Sequence, residues 1–88
     1  MAQHIDPEIL TLPQPLQELY TSLNAWVSRE EAERVSSRAT TAGSLANADS
    51  RGEGPKTKIR TGRRVLYPKK DFVLWLASRV KVEKADRQ

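Results

Sequence analysis

The first regular pattern of apolar positions in the chain follows Pro15. Four apolar residues recur there at the i, i+3, i+4 and i+7 spacing of one helix face: Leu16, Leu19, Tyr20 and Leu23. Because a proline is well tolerated at the start of a helix, this spacing predicts an amphipathic helix over residues 15–24. Residues 1–14 contain Pro7 and Pro13 and show no sustained period, so they are predicted to form a flexible arm.

The segment SREE predicts the start of a second helix. It has the pattern of a capping box, in which the Ser28 hydroxyl accepts a hydrogen bond from the first turn while the Glu31 side chain reaches back. We therefore expect a helix over residues 28–36 with a charged outer face. The short apolar entry before it is expected to put Trp26 in the core.

A third helix is predicted over residues 41–51, with Thr40 or Thr41 as its cap and glycines after its end. Leu45 and Ala48 are spaced to face the core. The outer side is expected to be a polar stripe without an acidic residue, next to a glycine that allows close approach of another backbone: Ser44, Asn47, Arg51 and Gly43.

Residues 56–67 alternate Lys and Arg with β-branched and aromatic side chains, which predicts a hairpin with its turn at Thr61–Gly62. The side chains expected to face the core are Ile59, Val65 and Tyr67. Those expected to face outward are Lys58, Arg60 and Arg64. Leu66 breaks the alternation, which leaves the register of the hairpin open.

The last helix is predicted over residues 69–80, where four apolar residues have helical spacing: Phe72, Trp75, Leu76 and Val80. We interpret its aromatic residues, like Trp26 and Tyr67, as core residues rather than as platforms for stacked bases. Residues 81–88 are mostly charged and polar, and they are predicted to form a flexible tail.

Charge is distributed unevenly along the chain. Residues 1–35 have two basic and six acidic residues, a net charge of −4, whereas residues 36–88 have thirteen basic and five acidic residues, a net charge of +8. Seven Lys and Arg fall between Gly54 and Lys70 inclusive, without an acidic residue before Asp71. Like charges at this density repel one another, which favours a phosphate-binding ribbon over a merely solvated one.

The sequence contains no recognisable catalytic, cofactor or metal motif. It has no cysteine, and its one histidine, His4, with scattered carboxylates does not have metal-site spacing. A phosphate-loop Lys–Ser/Thr and a nucleophile elbow are also missing. No apolar run approaches the ~20 residues of a membrane-spanning helix. We expect no enzyme activity, no cofactor, no membrane partner, and a cytoplasmic, nucleoid-associated protein.

The predicted order of helix, turn, helix, two-stranded ribbon and helix is that of a winged helix-turn-helix. The expected fold class is mainly α with a small β-hairpin wing, in a domain of residues 15–80 that includes an N-terminal amphipathic helix. In this arrangement a short helix offers polar side chains to base edges in the major groove, while the ribbon sets Arg and Lys against phosphates.

The segments REEAERV, SLANADSRGEGP and GRRVLYPKKDFVLWL resemble, in their linked order, the excisionase-type proteins of the MerR-like winged-helix group, also called recombination directionality factors. The likeness covers about residues 26–78. It implies a DNA-bending protein without chemistry of its own, with the groove role at Ser44, Asn47 and Arg51. The implied wing-tip contacts are Arg60, Gly62, Arg63 and Arg64. The sequence departs from the pattern at Ala48, where many relatives have a large aromatic residue, and in its N-terminal extension.

The candidate DNA-binding residues fall into two groups. Those of the recognition helix are Thr41, Gly43, Ser44, Asn47 and Arg51; those of the wing are Lys56, Lys58, Arg60, Thr61, Gly62, Arg63 and Arg64. The expected partners are double-stranded DNA with direct repeats, an integrase of the same element, and further copies of the chain bound head to tail. Two alternatives stay open: a small winged-helix transcriptional regulator, and a protein-binding module that uses the stripe over residues 16–23.

Overall fold

The computed structural model describes residues 6–83. Within that range the chain forms five helices and one antiparallel sheet of three strands, a mixed α/β architecture. In chain order the elements are α1 (Pro7–Leu10), α2 (Gln14–Ser22), β1 (Trp26–Ser28), α3 (Arg29–Val35), α4 (Ala42–Ser50), β2 (Ile59–Thr61), β3 (Arg64–Pro68) and α5 (Lys69–Ala77). The four predicted helices and the predicted hairpin are all present, and their ends differ from expectation by at most three residues.

The segment before α2 is folded, so the prediction of a flexible arm is wrong for residues 6–14. The Asp6 carboxylate caps α1 by accepting from the Glu8 N–H at 2.9 Å. Ile9 is completely buried in the core, and α1 contacts both α2 and α5. A four-residue helix with one buried side chain has no period to recognise in the sequence. Residues 1–5, the rest of the predicted arm, lie outside the described residues.

The predicted amphipathic helix α2 packs against α5. Leu16 and Leu23 from its apolar stripe are buried, and Leu19 and Tyr20 are partly buried against the same core. The Lys69 ammonium lies 4.4 Å from the centroid of the Tyr20 ring, a cation–π contact between the two helices. The N-terminal extension is therefore an integral layer of the fold.

Strand β1 was not predicted, and it adds a third strand to the hairpin. The sheet order is β1-β3-β2, with Val27 opposite Tyr67 and Ser28 opposite Leu66. Ser28 also caps α3, since its Oγ accepts from the Glu31 N–H at 3.0 Å as expected. Trp26 is 56% exposed, so its assignment to the core is wrong. It alternates with buried Val27 along an edge strand and therefore lies on the opposite face.

One hydrophobic core joins the helices to the inner face of the sheet. Its largest fully buried side chains are Tyr67, Phe72, Ile9, Leu45, Val27 and Val73. The expected core positions of Phe72 and Leu76 are confirmed. Beyond Ala77 the chain leaves the helix, earlier than predicted, and residues 81–83 are exposed. Residues 84–88 of the predicted tail lie outside the described range. No helix within residues 6–83 has the length and apolar content needed to cross a membrane.

Candidate nucleic-acid interface

The connection between α3 and α4 is a defined turn. Ser37 and Arg38 have φ angles of 53° and 66°, in the left-handed region that non-glycine residues rarely adopt. The Arg38 N–H donates to the Glu33 carbonyl at 2.8 Å, and the Ser37 N–H donates to the Arg34 carbonyl at 3.1 Å. These two bonds form a Schellman motif, which ends α3 and turns the chain into α4.

Two side chains satisfy the first backbone donors of α4. Thr41, one of the two predicted caps, accepts from the Ser44 N–H at 3.0 Å. The Glu33 carboxylate accepts from the Ala42 N–H at 2.9 Å, a contact that the sequence did not indicate. The Thr41 hydroxyl also donates to the Ser44 Oγ at 3.0 Å. Thr41 therefore has a structural role at the start of α4, whatever contact it makes outside the protein.

Helix α4 has a buried side and an open side. Leu45 and Ala48 are buried, as predicted. The candidate residues on this helix are all exposed except Thr41, which is half-buried: Gly43, Ser44, Asn47 and Arg51. Because successive helix residues turn by about 100°, Gly43 and Asn47 lie opposite Leu45 together with Ser50, which the sequence analysis missed. The structure thus divides the predicted stripe, and Ser44 and Arg51 lie on the flank towards α5.

A three-residue polar cluster, which we call the clamp, joins α4 to the sheet and to α3. It consists of Arg29, Asp49 and Tyr67. The Arg29 guanidinium and the Tyr67 hydroxyl both donate to Asp49 Oδ2, at 2.7 and 2.6 Å, and Arg29 Nε donates to the Tyr67 hydroxyl at 3.0 Å. The Asp49 side chain is only 7% exposed. The clamp therefore fixes α4 relative to β3, the central strand of the sheet.

Burial and charge in the clamp shift the pKa values of its members. Burial, with the adjacent Asp49 carboxylate as the second cause, raises the pKa of Tyr67 to about 12. For Asp49, burial raises the pKa, but the hydrogen bonds from Tyr67 and Arg29 outweigh burial and hold it below the usual value. The ion pair with Asp49 raises the pKa of Arg29. At neutral pH the clamp therefore holds a neutral phenol between a carboxylate and a guanidinium.

The wing is the two-stranded ribbon of β2 and β3 with the residues that lead into it, residues 56–68. Thr61 pairs with Arg64, so the two loop residues are Gly62 and Arg63, one position later than the predicted Thr61–Gly62 turn. Gly62 has a φ of 61° at the first loop position. This conformation matches a type II′ hairpin turn and explains the need for glycine there.

The register of the wing corrects two predicted orientations, those of Ile59 and Arg60. Residues directly opposite in an antiparallel pair lie on the same face. Arg60 is opposite Val65, and Ile59 is opposite Leu66. Val65 and Tyr67 face the core as predicted, but Ile59 lies on the other face and is only half-buried. Arg60 thus extends from the same face as Val65 and Tyr67, beyond the edge of the core.

Unlike most of the other Lys and Arg residues within residues 6–83, the cations of the wing have no carboxylate partner. Within residues 6–83 no ion pair involves any of these five exposed side chains: Lys56, Lys58, Arg60, Arg63 and Arg64. By contrast, Lys70 is 2.8 Å from Asp6 and 2.8 Å from Glu8, and these carboxylates raise its pKa. The basic residues of the wing therefore form a cluster of positive charge without a direct ion pair within residues 6–83.

Arg51, unlike the wing cations, has a carboxylate partner. Its Nε donates to Glu53 Oε1 at 3.1 Å, with both side chains more than half exposed. A cleft of about 290 Å³ lies between this flank of α4 and α5, and Ser44, Asn47, Arg51 and Trp75 contribute to its lining. Trp75 was predicted to be a core residue, but it is only partly buried. It packs against the core through Phe72, with ring centroids 6.5 Å apart.

The structure thus connects α4 to β3 of the wing through the clamp, while the open face of α4 and the wing cations stay exposed. From the sequence, Tyr67 was predicted only as a core residue, and no pairing of Arg29 with Asp49 was predicted, because partners 18 to 38 positions apart leave no local signal. Among the described residues no group of three potential metal ligands is found.

Comparison with protein-family models, with curated proteins and with solved structures gives no match for this chain.

Proposed function

We propose that this chain is a winged helix-turn-helix protein that binds and bends double-stranded DNA as an excisionase-type factor, directing an integrase towards excision of a mobile element. The observation on which this proposal depends is the wing, whose five exposed cations have no carboxylate partner within residues 6–83. A polyanion supplies the counter-charge that the fold leaves out.

The shape of the unit favours duplex DNA as that polyanion. Helix α4 has nine residues, a length of about 14 Å at 1.5 Å per residue, and its open face has only small and polar side chains. Such a helix fits a major groove about 12 Å wide, where Asn47 has the geometry to pair with adenine. Because the clamp fixes α4 relative to β3, helix and wing meet DNA already oriented, which lowers the entropic cost of binding.

A salt titration tests the DNA-binding step. If the five wing cations meet phosphates, the logarithm of the association constant should fall with the logarithm of salt concentration with a slope of about −4 to −5, at roughly 0.9 per phosphate. The double variant Arg63→Ala/Arg64→Ala should bring the slope to about −3. The readout is fluorescence anisotropy of a labelled duplex.

The matched control is Arg34→Ala/Lys81→Ala, which removes the same charge from two residues that already have carboxylate partners, Glu31 and Glu83. It should leave the slope close to that of the original protein. A complex insensitive to salt, or an equal effect of the two double variants, would reject the wing as the phosphate-binding element.

Excision and regulation are distinguished by a recombination assay with the integrase and its attachment sites. An excisionase should be required for excision, and it should protect direct repeats cooperatively as head-to-tail copies of a chain that is monomeric when free. A stable two-fold dimer on one inverted repeat, without effect on excision, would favour the transcriptional regulator instead. The burial of Leu16 and Leu23 in the chain's own core weighs against the protein-binding alternative, which uses the 16–23 stripe.

A further inference from the structure

Two residues after α5, Arg79 is a basic side chain that was not among the predicted DNA-binding residues. The guanidinium carbon of Arg79 lies 5.1 Å from the centroid of the Trp75 ring. One Arg79 nitrogen donates to the Glu53 carbonyl at 3.0 Å, and Trp75 Nε1 donates to the same carbonyl at 2.8 Å. Arg79 is exposed, and no carboxylate within residues 6–83 pairs with it.

These contacts orient Arg79 in advance. A guanidinium that is stacked on an aromatic face and held by a backbone carbonyl loses little rotamer freedom when it binds an anion. A free Arg has five N–H donors, and only one of them is used by Glu53. The remaining donors of Arg79 are therefore available to an acceptor outside the protein.

Arg79 lies on the opposite side of α4 from the clamp. Together with Ser44, Asn47 and Arg51 it lines the cleft between α4 and α5. Asp49, which connects α4 to β3, lies on the other side of Leu45 around the helix axis. Helix α4 therefore has the clamp on one flank, where Arg63 and Arg64 of the wing tip lie beside Arg29, and the Trp75–Arg79 pair on the other.

The charge on the α5 flank favours an anion. The cleft is lined by two guanidinium groups, Arg51 and Arg79. The one carboxylate in contact with them within the described residues is Glu53, which pairs with Arg51 and offers only its carbonyl to Arg79. One positive charge is thus left over beside the open face of α4.

We propose that Arg79 is a DNA-backbone contact, which binds a phosphate of the strand opposite to the one that the wing contacts. This inference depends on the proposed DNA-binding function and extends it. A helix inserted in the major groove has a phosphate backbone on each side. The wing reaches one backbone, and the Trp75–Arg79 pair is positioned for the other, so that the duplex is held from both flanks of α4.

The test compares Arg79→Ala with Arg34→Ala, a control that removes the same charge from an exposed arginine paired with Glu31. Salt titrations by fluorescence anisotropy are combined with hydroxyl-radical footprints on the same duplex. A phosphate contact by Arg79 adds about 0.9 to the slope that the five wing cations give, so Arg79→Ala should return the slope to about −4 to −5 and weaken binding about three- to tenfold at 0.1 M salt. It should lose protection on the strand opposite to the one that Arg63→Ala affects. Arg79→Lys should keep the slope, because it keeps the charge.

The possible outcomes distinguish failure of the Arg79 contact from failure of DNA binding. If the original protein binds DNA with a steep salt slope but Arg79→Ala behaves like Arg34→Ala, the Arg79 proposal fails and the proposed function stands. A lower melting temperature of Arg79→Ala with an unchanged slope, or the same slope for Arg79→Lys and Arg79→Ala, assigns Arg79 a purely structural role and overturns the proposal. No salt-dependent binding by the original protein rejects the proposed function itself.

Discussion

The clamp gives the sharpest test of how α4 is held against the sheet. Replacing Tyr67 with Phe removes one hydroxyl and leaves the buried ring in place. At neutral pH the hydroxyl donates to Asp49 at 2.6 Å and accepts from Arg29 at 3.0 Å. A hydrogen bond to a charged group contributes about 1.5–3 kcal/mol, so Tyr67→Phe should lower the free energy of unfolding by about 2 kcal/mol at pH 7.

This difference should disappear at alkaline pH. The pKa of Tyr67 is raised from 10.0 to about 12 in the folded protein. Because the folded state binds the proton of the Tyr67 hydroxyl more tightly than the unfolded state, the stabilisation by this hydroxyl is complete below pH ~10 and is lost as the pH rises from ~10 to ~12. A shift of two pKa units corresponds to about 2.7 kcal/mol. By about pH 12 the free energy of unfolding of the original protein should therefore be no larger than that of Tyr67→Phe.

Urea unfolding followed by tryptophan fluorescence, at pH values from 7 to about 12, measures this difference. Tyr20→Phe is the matched control, since the Tyr20 hydroxyl makes no hydrogen bond within residues 6–83, while its ring keeps the contact with Lys69. The control should cost less than about 0.5 kcal/mol at pH 7. A cost for Tyr67→Phe no larger than that of Tyr20→Phe, or a difference that stays constant up to pH 12, would refute the clamp.

Two further predictions concern glycine and the charge beside α4. A Cβ at Gly54 would overlap the Asp49 carboxylate of the clamp, whereas at Gly43 the nearest atom is 4.0 Å away. In urea unfolding, Gly54→Ala should lower the free energy of unfolding by about 1–3 kcal/mol, while Gly43→Ala should raise it by about 0.5–1 kcal/mol. Equal effects of the two substitutions would contradict this packing. Glu53→Gln removes the carboxylate that pairs with Arg51 at the end of α4. DNA affinity measured by anisotropy should therefore rise about two- to fivefold relative to the control Glu83→Gln. Equal affinities of the two variants would show that the Arg51–Glu53 pair does not compete with DNA.

The local signals of the sequence were sufficient for the helices and for one hairpin. A capping serine with its hydrogen bond three residues on, the 3.6-residue period of α2, and the buried pair Leu45 and Ala48 are properties of a few neighbouring residues, and the structure confirms each of them. The same holds for the basic composition of the wing. These features depend on backbone geometry and on amphipathic spacing, which act over one or two turns.

Strand β1 and helix α1 could not be recognised in the same way. Three or four residues are too few to show a period, and both elements exist because of distant partners, β3 for the strand and the core next to α5 for Ile9. The exposure of Trp26 has the same origin, since a register in the sheet decides which face each residue of β1 occupies. Large apolar side chains are usually buried, but the pairing of β1 with β3 places Trp26 on the exposed face of the sheet.

By itself, the sequence determined that α4 and the wing hairpin form, which segments of the chain form them, and that the second half of the chain is basic. The tertiary structure alone decided which cations stay unpaired, because salt bridges such as Lys70 with Asp6 and Glu8 join residues distant in the chain. It also decided that α4 is fixed to the sheet by Asp49 and has Arg79 on its other flank. Contacts of this kind depend on how elements pack together, and packing brings residues together without regard to their separation in the sequence.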